Sequence, residues 1–222
     1  GVIHGFNTYP SGLQFTIIDP TAGIQVFSAV DNFDYLVAEG DSVRIRGSIS
    51  QFMGRAQILV DTLILSTEGE GLTVPELVNT LDEYTESRLV RLKCAELVDA
   101  AEWTNTPPLF DVRVTTGIDT FLMVIDADTD LFGTPVPVGV FGITGIGGQR
   151  DDTMPWLDDY TILPRSTEDL STPVLADFST TTPWDSTLGP LAFTNLSEGF
   201  SGLYWSFGDG TGSESTDPEH VF

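Results

Sequence analysis

Val43-Arg44-Ile45-Arg46, Met53-Gly54 and Ile58-Leu59-Val60 decide the fold class. The first run alternates apolar and charged side chains, the period of a half-buried strand. Met53-Gly54 supplies a turn, and the third run is β-branched and apolar, so the stretch reads as strand, turn, strand. Upstream, Leu13-Gln14-Phe15-Thr16-Ile17 alternates until Asp19-Pro20 breaks it, Ile24-Gln25-Val26-Phe27 follows, and Glu39-Gly40-Asp41 turns the chain into Val43. Downstream, Leu63-Ile64-Leu65 closes a series of five strands in about 65 residues. Beyond it Thr73 suits a helix cap, Pro75 a first helical turn, and Leu77, Val78 and Leu81 one apolar face, which predicts a short linker helix.

The sequence then repeats itself weakly. Thr21-Ala22-Gly23-Ile24-Gln25-Val26-Phe27 reads like Thr115-Thr116-Gly117-Ile118-Asp119-Thr120-Phe121, and Val43, Ile45, Gly47 and Gln51 find counterparts in Phe141, Ile143, Gly145 and Gln149. Such self-similarity predicts two copies of one domain. Five strands with glycine-marked bends match the small barrel of an OB-fold. Residues 1–68 resemble the OB-fold modules of large secreted Bacteroidota proteins, through Pro10-Ser11-Gly12-Leu13-Gln14-Phe15, Glu39-Gly40-Asp41 and Gly47 to Gln57. Residues 86–166 resemble the module that commonly follows. That match runs through Glu86-Ser87-Arg88-Leu89-Val90, Asp126-Ala127-Asp128-Thr129-Asp130, Thr144-Gly145-Ile146-Gly147-Gly148-Gln149 and Pro164-Arg165, with Arg150 where an aromatic is usual. From Pro173, the runs Ala176-Asp177-Phe178, Leu191 to Asn195, Tyr204-Trp205-Ser206-Phe207-Gly208-Asp209-Gly210 and Asp217 to Phe222 resemble a polycystic-kidney-disease (PKD) domain, an immunoglobulin-like sandwich. Ser206 and Phe222 depart from its usual Asp and Tyr. There Trp205 and Phe207 alternate inward and Gly208-Asp209-Gly210 makes a tight turn.

The expected fold is therefore all-β. Residues 1–70 and 86–170 form two tandem OB-fold-like five-stranded barrels, 71–85 link them through a short helix, and 173–222 are part of a PKD sandwich. A seven-stranded sandwich needs more chain than those last 50 residues, and Gly1 starts without a preceding turn, so both ends read as cuts in a longer polypeptide.

Composition limits the function. Among 222 residues, 33 are acidic and 9 basic, for a net charge of −24, with Lys93 the one lysine. That field repels nucleic acid and anionic membranes. The first barrel carries no Lys or Arg before Arg44, and Arg113 is the only basic residue between Lys93 and Arg150, so the basic footprint of a single-strand-binding OB-fold is missing. No apolar run approaches the ~20 residues of a membrane span. Cys94, the single cysteine, lies in an apolar stretch and is expected as a buried thiol, with no intrachain disulfide available.

Catalysis finds no purchase. His4 and His220 fall in different expected domains without a Ser or Cys nucleophile beside them, and one Cys with two distant His disfavours zinc. His220 matches a core position of the PKD family. Two candidate sites remain. Asp126, Asp128 and Asp130 alternate along a loop and can converge on calcium, although Leu131 and Pro137 stand where an EF-hand needs Gly and Glu; otherwise no cofactor is expected. Arg44, Arg46 and Arg55 form the one local basic group, suited to an acidic sugar or a partner's carboxylate. The sequence thus predicts a non-catalytic spacer or adhesion module of a larger exported protein, extracellular or on the cell surface. Its expected partners are protein or carbohydrate, with no nucleic acid and no membrane insertion. The resemblance implies export by the type IX route. The alternatives are an accessory region of a secreted nuclease or protease, and a subunit of an extracellular filament or surface complex.

Overall fold

The computed structural model describes residues 1–171, 176–180, 189–197 and 202–222. Residues 1–171 form one compact unit, and the described residues from Ala176 onward belong to a second. Within the described residues the secondary structure is strand, apart from two single 3-10 turns at Ala100–Glu102 and Thr167–Asp169.

Five strands open the chain: β1 (Val2–His4), β2 (Leu13–Ile18), β3 (Gly23–Ser28), β4 (Ser42–Phe52) and β5 (Arg55–Thr67). They close a barrel in the order β1-β2-β3-β5-β4, with β3 and β5 parallel and β4 returning antiparallel to β1. Ile3, Leu13, Phe15, Val26 and Val43 fill it, and Ile58, Val60 and Leu63 pack against them. The runs read as separate strands at Ile58–Val60 and Leu63–Leu65 are one strand. Asp61 does not break it, because the register against β4 shifts there (Gly47 opposite Val60, Arg46 opposite Thr62), so Asp61 is the extra residue of a β-bulge. Gly47 faces the bend. A Cβ on it would lie 1.9 Å from the Leu59 carbonyl oxygen, so only glycine lets the strands approach there.

The expected linker helix does not form. Glu76–Val78 is instead a strand, β6, parallel to β7 (Leu89–Leu97). β-Branched Thr73, Val74, Val78 and Thr80 around Pro75 favour the extended chain, and the edge of β7 supplies the backbone partners. Val78 packs on the core and Leu81 is buried, while Leu77 points outward. Thr73 is no cap; its N–H donates to His4 Nε2 at 3.0 Å.

Then come β8 (Leu109–Thr115), β9 (Thr120–Asp126), β10 (Phe141–Gln149), β11 (Tyr160–Leu163) and β12 (Leu170–Ser171). They join β6 and β7 in a seven-stranded sheet of order β12-β10-β11-β9-β8-β7-β6, with β10 also paired to β7. β7 pairs β8, β8 pairs β9, β9 runs parallel to β11, β11 pairs β10, and β10 returns to β7. These are the pairings of the first barrel in the same order. The core here is larger, fifteen buried residues including Val90, Leu92, Val112, Met123, Ile143 and Ile162.

The pairings also test the internal repeat. A Cβ on Gly145 would meet Leu163 carbonyl oxygen and Ile162 Cγ1, as one on Gly47 would meet Leu59 oxygen and Ile58 Cγ1. Gly47 and Gly145 therefore occupy equivalent positions. The other similarity is three residues out of step. The β2–β3 hairpin closes on Ile18 and Gly23, the β8–β9 hairpin on Thr115 and Thr120. Gly23 thus corresponds to Thr120, whereas Gly117 lies within the turn. Cys94 is exposed, not buried. The register slips where Phe141 and Ile143 face Ala95 and Leu92, and the extra β7 residue turns Lys93 and Cys94 outward together.

In the second unit, β13 (Phe178–Thr180), β14 (Leu191–Asn195) and β17 (Glu219–His220) form a three-stranded sheet, and β15 (Trp205–Ser206) and β16 (Gly212–Ser213) a hairpin. Gly208 and Gly210 take positive φ in the connecting loop, the turn expected there. Phe193 and Trp205 lie 5.5 Å apart, and His220 stacks on Phe207 at 4.1 Å.

Candidate functional site

The β4–β5 hairpin carries its tip to the second sheet. Met53 and Gly54 both have positive φ, as a two-residue turn of the right hand requires. Gly54 is pressed against Gln149, since a Cβ on it would lie 2.1 Å from Gln149 Oε1. Ala56 N–H donates to Glu86 Oε1 at 2.9 Å, and Gly23 approaches the Ser87 backbone so closely that a Cβ would fall 1.6 Å from its oxygen. Ile18, Leu89 and Ile146 form a small apolar cluster across the same contact. Gln149 is buried and donates to the carbonyls of Trp156 and Asp158. Gln51, its counterpart, donates to the Gly54 carbonyl across the hairpin.

Beside this contact lies a cleft of about 190 Å³. Its barrel wall is His4, Thr16 and Gln25 with Arg55; its other wall is Asp126, Gly148, Arg150, Thr161 and Arg165. Three of the nine cations of a strongly acidic chain therefore share one cleft, and they are used differently. Arg165 is spent on structure: Nε and Nη2 bond the two Asp169 oxygens and Nη1 bonds Glu39 Oε1, all at 2.8 Å. Arg150 holds Asp111 through Nη1 alone, at 2.8 Å to both oxygens. Among the described residues, Arg55 makes no side-chain hydrogen bond and no ion pair. Its guanidinium lies over Gly148, where a Cβ would stand 3.4 Å from Nη1. Burial pushes its pKa down to about 10, with Glu86 opposing and Arg150 adding to the shift.

The remaining groups fall into two sets. His4 is buried and held at both nitrogens, Nδ1 2.9 Å from the Val2 carbonyl and Nε2 accepting from Thr73 N–H and so carrying no proton; burial lowers its pKa. Asp126 accepts from Asp128 N–H, and burial raises its pKa. By contrast, the hydroxyls of Thr16 and Thr161 have no hydrogen-bond partner among the described residues. Gln25 gives its amide N–H to Gln57 and keeps a buried Oε1 without a partner, as does Glu86 with Oε2.

The two candidate sites read from sequence are both divided. Asp126 is buried on the cleft, Asp128 is exposed, and Asp130 faces away to accept from Thr167 N–H and hydroxyl at 2.7 and 2.9 Å. Among the described residues no group of three or more His, Cys, Asp or Glu is placed to hold a metal ion. Arg44 and Arg46 are exposed on β4 opposite Ile64 and Thr62, while Arg55 is carried into the cleft by the hairpin. Its partners there, Arg150 and Thr161, are about a hundred residues away in sequence, and no local spacing signals them. His220 stacks on Phe207 and bonds Asp209 Oδ2 at 2.8 Å, holding that carboxyl's pKa, already lowered by Thr211, at about 2. Among the described residues no helix is long and apolar enough to cross a membrane. No family model matches the chain, and no curated protein matches it in sequence.

Proposed function

We propose that the chain is a non-catalytic binding and spacer module of an exported protein, held outside the cell or on its surface. In this reading it is built from two tandem OB-fold-like barrels and part of a PKD-type sandwich, and the type IX route carries it out. The repeated strand pairing of β7–β11 and the shared setting of Gly47 and Gly145 support the tandem barrels. The aromatic cluster around Trp205 and the Gly208-Asp209-Gly210 turn support the third.

The observation that carries the functional reading is how the cleft uses its side chains. The groups able to move a proton are tied to backbone or to one another: His4 to Val2 and Thr73, Asp126 to its own turn. Those left free in the cleft wall include a guanidinium and hydroxyls, which hold a ligand rather than transform one, and Glu86, whose buried Oε2 has no partner, is not part of that wall. Antibody raised against the chain should label intact cells of the source organism, and the purified chain should show no turnover of peptide, glycoside or nucleic-acid substrates. Labelling only after lysis, or any such hydrolysis, contradicts the proposal. Single-stranded DNA should give no salt-sensitive micromolar anisotropy change, because neither barrel neutralises a row of phosphates.

A further inference from the structure

We infer that the cleft between the first barrel and the second sheet binds the carboxylate and hydroxyls of a uronic acid unit, with Arg55 and Arg150 as its cation pair. This rests on reading the chain as a binding module and names the ligand class of its cleft.

Arg55 and Arg150 line one cleft, and among the described residues Arg55 has no counter-ion within salt-bridge distance. Arg150 engages Asp111 through one nitrogen, leaving Nε and Nη2 without protein partners among the described residues. Two guanidiniums that repel each other in a partly buried place are stabilised by an anion between them, and a carboxylate fits their planar donors with two parallel hydrogen bonds. Asp111 pairs with Arg150 and Glu86 acts on Arg55 at a distance, but among the described residues no acid pairs with Arg55. Glu86 gives one oxygen to Ala56 N–H, and its other is buried without a partner. Asp126 accepts from Asp128 N–H, and Glu39 and Asp169 are bound to Arg165.

The rest of the lining narrows the ligand. Thr16 and Thr161 offer hydroxyls on opposite walls, neither with a partner among the described residues. An anion without hydroxyls leaves these unmet, whereas a sugar ring satisfies them. At about 190 Å³ the cleft is below the ~300–1,000 Å³ of drug-sized pockets, which sets the ligand at a single sugar unit. The −24 net charge and Asp126 in the wall oppose every anion, and they oppose a phosphodiester chain with its row of charges more than a single carboxylate held by two guanidiniums.

Calorimetric titration of the intact chain with glucuronate, galacturonate, glucose and acetate tests this, with a short oligogalacturonate to separate a free sugar acid from a chain end. One or both uronates should bind at least about tenfold tighter than glucose or acetate, a difference of ~1.4 kcal/mol. Arg55→Gln and Thr161→Val should each weaken uronate, the first about tenfold or more, with unchanged circular dichroism. Thr161→Val keeps the side-chain volume and so guards against a misfolded Arg55 variant. Glu86→Gln should bind at least as well as wild type. Uronate binding no tighter than glucose, or binding unaffected by both Arg55→Gln and Thr161→Val, overturns the inference. So does loss of binding in Glu86→Gln, which would make Arg55 and Glu86 a structural pair. A chain that labels the cell surface and ignores uronates sinks this inference alone, whereas turnover of a substrate sinks the functional reading beneath it.

Discussion

The first barrel and the β7–β11 sheet follow the same path through space with unequal cores. The first buries Ile3, Leu13, Phe15, Val26 and Val43; the other buries fifteen residues, among them Trp103, Phe110 and Met123. A small core supplies less hydrophobic stabilisation. The first barrel makes up part of the difference at its edges. Gly23 lies on Ser87, Gly54 on Gln149, Ala56 bonds Glu86, and Glu39 joins Arg165. One strand order is thus stabilised from inside in one region and by docking in the other, and the docked copy leaves a cleft beside its contact.

The two cores should respond most strongly to substitution. Leu13→Ala and Leu92→Ala each empty a fully buried site, one in each region. Each should cost about 2–5 kcal/mol, Leu92 toward the upper end because its larger cluster has less room to collapse. Urea midpoints at constant slope measure this; a greater loss from Leu13 would invert the ranking. Next come the equivalent glycines. Gly47→Ala and Gly145→Ala both drive a methyl against a backbone carbonyl, at 1.9 and 2.7 Å. Both should destabilise by about 1–3 kcal/mol, Gly47 more. If one substitution proves silent, the two positions are not counterparts.

A smaller difference lies in pH. His4 is buried in the first barrel with its pKa lowered from 6.5 by desolvation. As pH falls below the unfolded value, the unfolded chain takes the proton first. The stability held above about pH 6.5 is therefore lost progressively in acid. Melting midpoints of wild type and His4→Gln should accordingly be set apart by a constant amount between about pH 7 and 8, with the wild type falling relative to the variant toward pH 5. A constant offset throughout would show that His4 does not titrate on unfolding. Smallest of all, Cys94 should react fully with a thiol reagent in the native protein, with no change in melting temperature, because the β7 bulge turns it outward. Reaction only in denaturant would return it to the core.

How far the sequence could be read follows from what each signal depends on. Strand, turn and barrel were legible in Val43 to Val60, because alternation and a glycine turn are local. The Gly47 and Gly145 correspondence was legible because a close approach of backbones excludes every other residue. Thr21 to Phe27 misled by three residues, since the place where a hairpin closes is set by pairing and composition does not record it. Glu76–Val78 looked helical because its partner, β7, begins eleven residues after it ends. Cys94 looked buried because a one-residue bulge is invisible without Phe141 and Ile143 across from it. Arg55 was singled out as a cation, but its cleft was not legible. Arg150 and Thr161 reach it only through the docking of a hairpin tip on a distant strand.

Hydrogen exchange by mass spectrometry on the intact chain, read against denaturant, tests most directly whether the first barrel depends on the second sheet. Core amides of β2, β3 and β5 should become exchange-competent together with those of β8, β9 and β10, in one cooperative opening. Gly54→Val, which drives a side chain into Gln149, should split that opening and release the first barrel at lower denaturant. Two separate openings in the wild type, unchanged by Gly54→Val, would contradict this and leave a barrel and a sheet that merely adjoin.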